Sequence, residues 1–400
     1  MISKGHIEMT ASSCPSPLTT QQMPVRQRIN SIDMLRGLVM LIMLLDHVRE
    51  RVLLHLQVSD PMDIASTEAG LFFSRLAAHL CAPVFIFLTG LSAWLYQHQS
   101  PVPRDVRQFL IKRGLFLILL ELTLVNFAWM GAYHTLWLQV IWVIGLCMLA
   151  LALLSVLPRT LLWLIALTLL FGHNLLTPIS FLPGEWGYSL WTLLHDRNYL
   201  VSEGALKVKV SYPLLPWIGV IVLGYLTGPL FSKLTDPQQR QRILLRAGVA
   251  ALLLFVLLRG FNLYGETLPW QAQPTLVLTV MDIFNVTKYP PSLNFLLLTL
   301  GLMCLLLCWF ERPMPAVVRR VFADFGAAPM FFYLLHLYVL LLIYQLLLWQ
   351  FGANHGSLYG VPDIRWVWLM SLMLALLLYP PTRWFAAFKK RSSWRWIRYF

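Results

Sequence analysis

Charge is scarce in this sequence. Asp, Glu, Lys and Arg make up 12% of its 400 residues, about half the share of a soluble globular chain. A solvated surface of ordinary size cannot be assembled from so little, so a soluble domain is excluded. Cysteine is sparse as well. Of Cys14, Cys81, Cys147, Cys304 and Cys308, four fall in apolar runs, where they read as small packing residues and not as a disulfide framework. Cys304 and Cys308 share a helix face, but no His or further Cys accompanies them at metal-site spacing, and no metal is expected. A glycine-rich phosphate loop, HExxH, GxSxG and kinase signatures are all missing, so any chemistry must come from side chains on helices. No internal repeat is visible, which argues against the inverted-repeat transporters. Residues 1–28 lack the apolar core of a cleaved signal, and their Ser, Thr, Gln and Pro read as a disordered cytosolic tail.

Apolar residues supply what is present: 58% of the chain is hydrophobic and the mean hydropathy is +0.66. They gather in runs long enough to cross a hydrocarbon core of about 30 Å. Barrel strands would be about ten residues long with alternating polarity, whereas these runs are longer and apolar on every face. Helices are therefore expected, because backbone groups in lipid must be satisfied within the element. The spans read as 33–54, 71–96, 110–130, 135–156, 159–176, 213–232, 243–263, 290–310, 328–350 and 365–387, with a long polar connection at 177–211. The fold class is all-α, a polytopic bundle of about ten transmembrane helices over residues 29–388, followed by a basic tail at 389–400.

The formal net charge is +13, and its distribution writes a topology. With the N-terminus cytosolic, the inner loops hold Arg104, Arg107, Lys112, Arg113, Arg159, Lys233, Arg240, Arg242, Arg246, Arg312, Arg319 and Arg320. The outer ones hold Asp60, Asp63, Glu68, Glu185, Asp196, Glu203, Glu266, Asp282 and Asp363. Both termini then lie inside, as an even number of spans requires. Anionic lipid accounts for such a basic balance better than nucleic acid does. The long outer connections at 55–70, 177–211, 264–289 and 351–364 suggest that something is bound outside.

Ionisable groups inside spans are costly and mark candidate sites. Asp33 and Arg36 on the first helix are either an interfacial pair or place Arg36 beside a bound phosphate. Arg36, Met43 and His47 form one row, with His47 about 16 Å above Arg36 at the helical rise, and Asp46 stands next to it. Arg75 precedes His79 by one turn, and His336 lies in the ninth span. A single buried His is commonly a packing residue, but three with Arg partners suggest general-base chemistry. Glu121, Asn126 and Gln139 read as interhelical glue. Lys288 and Tyr289, in NVTKYPPSL, are an interfacial anchor or a recognition element for an external substrate.

The stretches RINSIDMLRGLVMLIMLLDH, LCAPVFIFLTGLSAWL, YPLLPWIGVIVLGYLTG, NVTKYPPSLNFLLLTLG and PMFFYLLHLYVL, spread over about 30–350, resemble bacterial relatives of heparan-α-glucosaminide N-acetyltransferase. The resemblance implies an enzyme of the bacterial cytoplasmic (inner) membrane that takes acetyl from cytosolic acetyl-CoA and passes it to a sugar or glycan outside. Acetyl-CoA would be a co-substrate, and related enzymes are dimeric. His47, Asp46 and His79 are then the catalytic candidates. Arg36, Arg75, Arg113, Tyr333 and His336 are the expected CoA contacts, and Lys288, Tyr289 and Trp217 the acceptor contacts. One departure is that the mammalian enzyme has Asn where His47 stands and its catalytic His in the following loop, where this chain has His55. The base is thus His47, His55 or His79. A proton-coupled exporter of a small polar solute is the competing reading.

Overall fold

A computed structural model describes residues 30–99, 102–232, 234–394 and 397. The expected N-terminal tail, Cys14 and Lys233 lie outside the described residues. The chain opens with α1 (Asn30–Val52), α2 (Ala69–Ala78), α3 (Cys81–His98) and α4 (Val106–Leu120), the last running through a π-helical turn, Glu121–Val125, into α5 (Asn126–Met130). Then come β1 (Thr135–Leu138), α6 (Val140–Leu154), α7 (Arg159–Gly172), α8 (Tyr188–Leu194), β2 (Tyr199–Val201), β3 (Lys207–Val210) and α9 (Leu215–Leu226). The remainder is α10 (Pro237–Gly260), α11 (Leu276–Phe284), α12 (Leu293–Phe310), α13 (Ala316–Ala327), α14 (Pro329–Phe351) and α15 (Ile364–Arg391). The helix α15 thus continues into the start of the expected basic tail.

Among the described residues, six helical stretches are long and apolar enough to cross a membrane: Ala69–His98, Arg159–Leu176, Pro237–Gly260, Leu293–Phe310, Pro329–Phe351 and Ile364–Arg391. Val140–Leu154 and Leu215–Leu226 are apolar but shorter. Leu164, Leu253 and Leu376 on α7, α10 and α15 are all more than 60% exposed. Leucines bared along several long helices fit a hydrocarbon solvent and not water.

Two irregularities have local causes. The expected span 71–96 breaks at His79–Leu80, where the N–H groups of His79 and Leu80 bond three residues back, to Leu76 and Ala77. Pro83 is the cause: its ring crowds the carbonyl four residues before it, which belongs to His79. The expected span 110–130 is interrupted because Asn126 inserts its side chain, donating to the Glu121 carbonyl at 2.7 Å and accepting from the Trp137 N–H at 2.7 Å. A side chain inserted into the ladder widens a turn to the π form.

One boundary is corrected. Residues 135–138, expected to begin the fourth span, are instead β1, and the helix starts at Val140. This strand pairs in parallel with β3, which pairs antiparallel with β2, giving a small sheet in the order β1-β3-β2. The first three residues of β1 are half-buried and Leu138 is buried, and its partners β2 and β3 both come from the polar connection read at 177–211.

Close helix contacts rest on glycine, as is common where helices pack in lipid. A Cβ at Gly37 would strike the Phe322 carbonyl, and one at Gly326 the Asp33 carbonyl. This contact joins α1 to α13 and brings the Gly326 carbonyl within 3.1 Å of the Arg36 guanidinium.

Candidate active site

A cavity of about 280 Å³ lies between α1, α3, α4, α6, α14 and the end of α15. Its cationic lining is Arg36, Arg113 and Lys389, and its walls are largely apolar, among them Met40, Met43, Leu117, Ile144 and Met148. Arg36 sits two turns into α1, Arg113 two turns into α4, and Lys389 in the last turn of α15, so the cations gather at one end. Arg36 is paired with Asp33 at 3.0 Å. Met43 and Tyr333 line the cavity further along. Of the five expected CoA contacts, the structure brings Arg36, Arg113 and Tyr333 to this cavity. Lys389 was not singled out in the sequence, where it is one cation of a basic run.

Tyr333 leads to a pair of histidines. Its ring is 5.8 Å from His47 and 5.6 Å from His336, edge-on to both. His47 is 9% exposed and His336 fully buried. Their rings meet through His47 Nδ1 and His336 Nε2 at 2.7 Å, and His336 Nδ1 lies 2.7 Å from the Phe332 carbonyl oxygen. With both rings neutral, this chain assigns the tautomers. A carbonyl only accepts, so His336 Nδ1 carries the hydrogen and donates it. His336 Nε2 is then an acceptor, and His47 Nδ1–H donates to it. The Nε2 of His47 is left with a lone pair and has no hydrogen bond among the described residues. Trp129 packs edge-on to the same imidazole at 4.9 Å. His336, expected among the CoA contacts, is therefore the partner of His47 and does not line the cavity.

Asp46, expected among the catalytic residues, does not bond His47. Its carboxylate accepts from Arg49 at 2.7 and 2.9 Å, because i, i+3 spacing brings those two together on α1 while the neighbouring His47 faces elsewhere. Arg75, also expected with CoA, lies in a different cluster: it pairs with Asp60 at 3.7 Å. His79 is 1% exposed, with neither ring nitrogen hydrogen-bonded. It lies within electrostatic reach of Lys288, Arg75, Asp46 and Arg49.

The expected acceptor residues adjoin this cluster. Asp60 accepts from the backbone N–H groups of Lys288 and Tyr289 at 3.0 and 2.8 Å. The Lys288 ammonium lies 5.1 Å from the Tyr289 ring and 5.9 Å from Tyr212. Tyr212 stacks edge-on to Tyr289 at 4.9 Å and lies 6.0 Å from Trp217, which reaches His79 through Phe295. Tyr289, Lys288, Trp217 and His79 thus form one aromatic and cationic group, with Tyr212 as a member the sequence did not suggest. Glu266 anchors the segment from below, accepting from the Thr287 backbone and hydroxyl and from Ser292 Oγ. Burial pushes the Glu266 carboxyl above its usual value, opposed by those hydrogen bonds. His55 stands apart, stacked on His355 with ring centres 3.7 Å apart beside a separate cavity of about 290 Å³.

The site is thus a largely apolar cavity in a helical membrane protein, lined by three cations and by Tyr333, whose ring packs against a buried histidine pair. Residues 28–261 match the family model described as heparan-alpha-glucosaminide N-acetyltransferase, catalytic, and the chain belongs to this family. Membership implies transmembrane acetyltransferase activity, and the family depends in general on acetyl-CoA. No curated protein matches the chain. The match is shorter than the 30–350 over which a resemblance was read. It includes Arg36, His47, His79 and Arg113, whereas Lys288, Tyr289, Tyr333 and His336 lie beyond it and join the site by geometry.

Proposed function

We propose that this chain is a ten-span enzyme of a bacterial cytoplasmic membrane, with both termini inside. In this reading it passes acetyl from cytosolic acetyl-CoA to an amino or hydroxyl group of an extracytoplasmic sugar. The asymmetry of loop charge supports the orientation. The observation that carries the reading is the cavity with Arg36, Arg113 and Lys389 at one end and Tyr333, against the His47–His336 pair, at the other. CoA is a nucleotide on a slim arm. Its phosphates call for Arg and Lys, and its apolar arm suits the walls of Met40, Met43, Leu117 and Met148.

In this reaction His47 Nε2 takes the proton of the attacking amine or hydroxyl as the new bond to the carbonyl carbon forms. His336 holds the ring in the competent tautomer, as the buried orienting residue of a catalytic triad does. The C–S bond then breaks and the thiolate recovers the proton from the imidazolium. The acceptor approaches from the Lys288, Tyr289 and Trp217 side, with His79 as a polar contact whose nitrogens await a partner.

The test is acetyl transfer by the purified chain in nanodiscs, with CoA-induced thermal stabilisation as the binding readout. His47→Gln is expected to keep CoA stabilisation and lose transfer. A wild-type chain indifferent to millimolar CoA refutes the reading and favours a transporter.

A further inference from the structure

Acetyl transfer builds negative charge on the thioester oxygen, and a base alone does not stabilise it. In a water-poor cavity that oxygen needs a fixed donor. Met43, Val140, Ile141 and Ile144 line the cavity and offer no side-chain donor, and Ser92, also in the lining, has no hydrogen bond to either histidine among the described residues. The Thr89 hydroxyl is engaged, donating to the Phe85 carbonyl at 2.7 Å. The N–H groups of Ile141 and Trp142 at the start of α6 are taken by the Glu121 carboxylate. Tyr333 is different. It lines the cavity, is 3% exposed, and is the lining residue whose ring also contacts both His47 and His336.

We propose that Tyr333 is a catalytic residue whose hydroxyl donates a hydrogen bond to the thioester carbonyl oxygen during transfer. The inference rests on the acetyl-CoA reading above. As the acceptor's lone pair attacks the carbonyl carbon, the C=O π electrons move to oxygen, and the Tyr333 O–H stabilises them without giving up its proton. When the carbonyl reforms, the thiolate leaves and takes the proton held by His47. Position explains the choice of residue. Tyr333 precedes His336 by three residues, so one turn of α14 carries both the donor and the orienter of the base. The rigid helix then fixes the spacing between the two catalytic elements.

The experiment compares wild type and Tyr333→Phe as full chains in nanodiscs, following thiol release from acetyl-CoA with glucosamine or water as the probe acceptor. Tyr333→Phe keeps the ring packing and removes only the hydroxyl. It is expected to lower kcat by about 10²- to 10³-fold, the range for loss of one oxyanion donor. KM for acetyl-CoA and the thermal stabilisation by CoA should stay within about threefold of wild type, a readout on which a merely structural loss would register. A kcat within threefold of wild type, or a loss expressed wholly in KM, overturns the proposal and leaves the acetyl-CoA reading intact. A wild type that binds CoA but releases no thiol with either acceptor overturns both together.

Discussion

The hydrogen-bond chain Phe332–His336–His47 makes a quantitative prediction. His336→Leu removes the acceptor of the His47 Nδ1–H, which it meets at 2.7 Å in a fully buried position. An apolar replacement leaves that N–H unsatisfied, at a cost of about 1–3 kcal/mol. The ring can escape the penalty by moving its hydrogen to Nε2 or by rotating, and either places the wrong nitrogen toward the reacting groups. Taking about 2 kcal/mol as the loss of the competent form gives roughly a 30-fold fall in kcat, since about 1.4 kcal/mol is tenfold. KM for acetyl-CoA should hold, because His336 does not line the cavity. His336→Gln, which retains an acceptor, should recover part of the loss. Steady-state kinetics on the three proteins, with CoA thermal shifts to confirm folding, make the measurement. If His336→Leu turns over within threefold of wild type, the tautomer argument is wrong and His47 acts without its partner.

Three other outcomes follow from the same geometry. Arg113→Gln should raise KM for acetyl-CoA by about tenfold or more, the worth of one charge-assisted contact, with kcat little changed; an unchanged KM refutes the phosphate placement. Glu121 accepts from the N–H groups of Ile141 and Trp142 at 3.1 and 3.2 Å, capping α6 across the π turn. Glu121→Ala should therefore destabilise by about 1–3 kcal/mol and Glu121→Gln by less, by thermal unfolding in detergent; equal stabilities would remove the capping role. In the loop after α1, burial and then the facing His355 ring hold His55 below its usual 6.5. A lowered folded-state value means that the neutral ring is favoured on folding. This contribution is present above about pH 6.5 and is lost as pH falls through the folded-state value. Protection factors for hydrogen exchange at Asn354, His355 and Leu358, whose amides are bonded within the loop, should fall on acidification from pH 7.5 to 5 once the rates are corrected for the pH dependence of intrinsic exchange. Unchanged protection would show that the stack contributes nothing.

Element type was largely legible because hydrocarbon-length apolar runs leave one option, and each expected span contains helix, although six helical stretches among the described residues are long and apolar enough to cross a membrane. Details set by single side chains were not legible from hydropathy. Pro83 breaks the second span, Asn126 opens the π turn, and the strand at 135–138 reads as part of a longer apolar run until β3 is known to lie beside it. The site divided in the same way. His47 and Arg36 stood out because both are polar intruders on one stripe of one helix. The partner of His47 could not be read from spacing, because His336 is 289 residues away and its own helix assigns it no direction. Asp46 misled through adjacency: consecutive helical residues point about 100° apart, and its charge goes to Arg49. Arg75 could not be assigned from charge type, since a buried arginine serves a carboxylate such as Asp60 as readily as a phosphate.

The same angular relation on α1 bears on how a group could cross a membrane here without a travelling carrier. Arg36, Met40 and Met43 face the cavity, and His47 continues their side one turn on. Asp46 and Arg49 turn toward the cluster that includes Lys288, Arg75 and His79. One helix thus presents a nucleotide-compatible lining on one face and a polar, aromatic-flanked group on the next, and His47 stands at their border. On the proposed reading, the carrier's arm covers most of the membrane's thickness, and only the acetyl group passes the border. The demand on the protein is then to hold one imidazole in one tautomer between two fixed half-sites, and the buried His47–His336 bond supplies that.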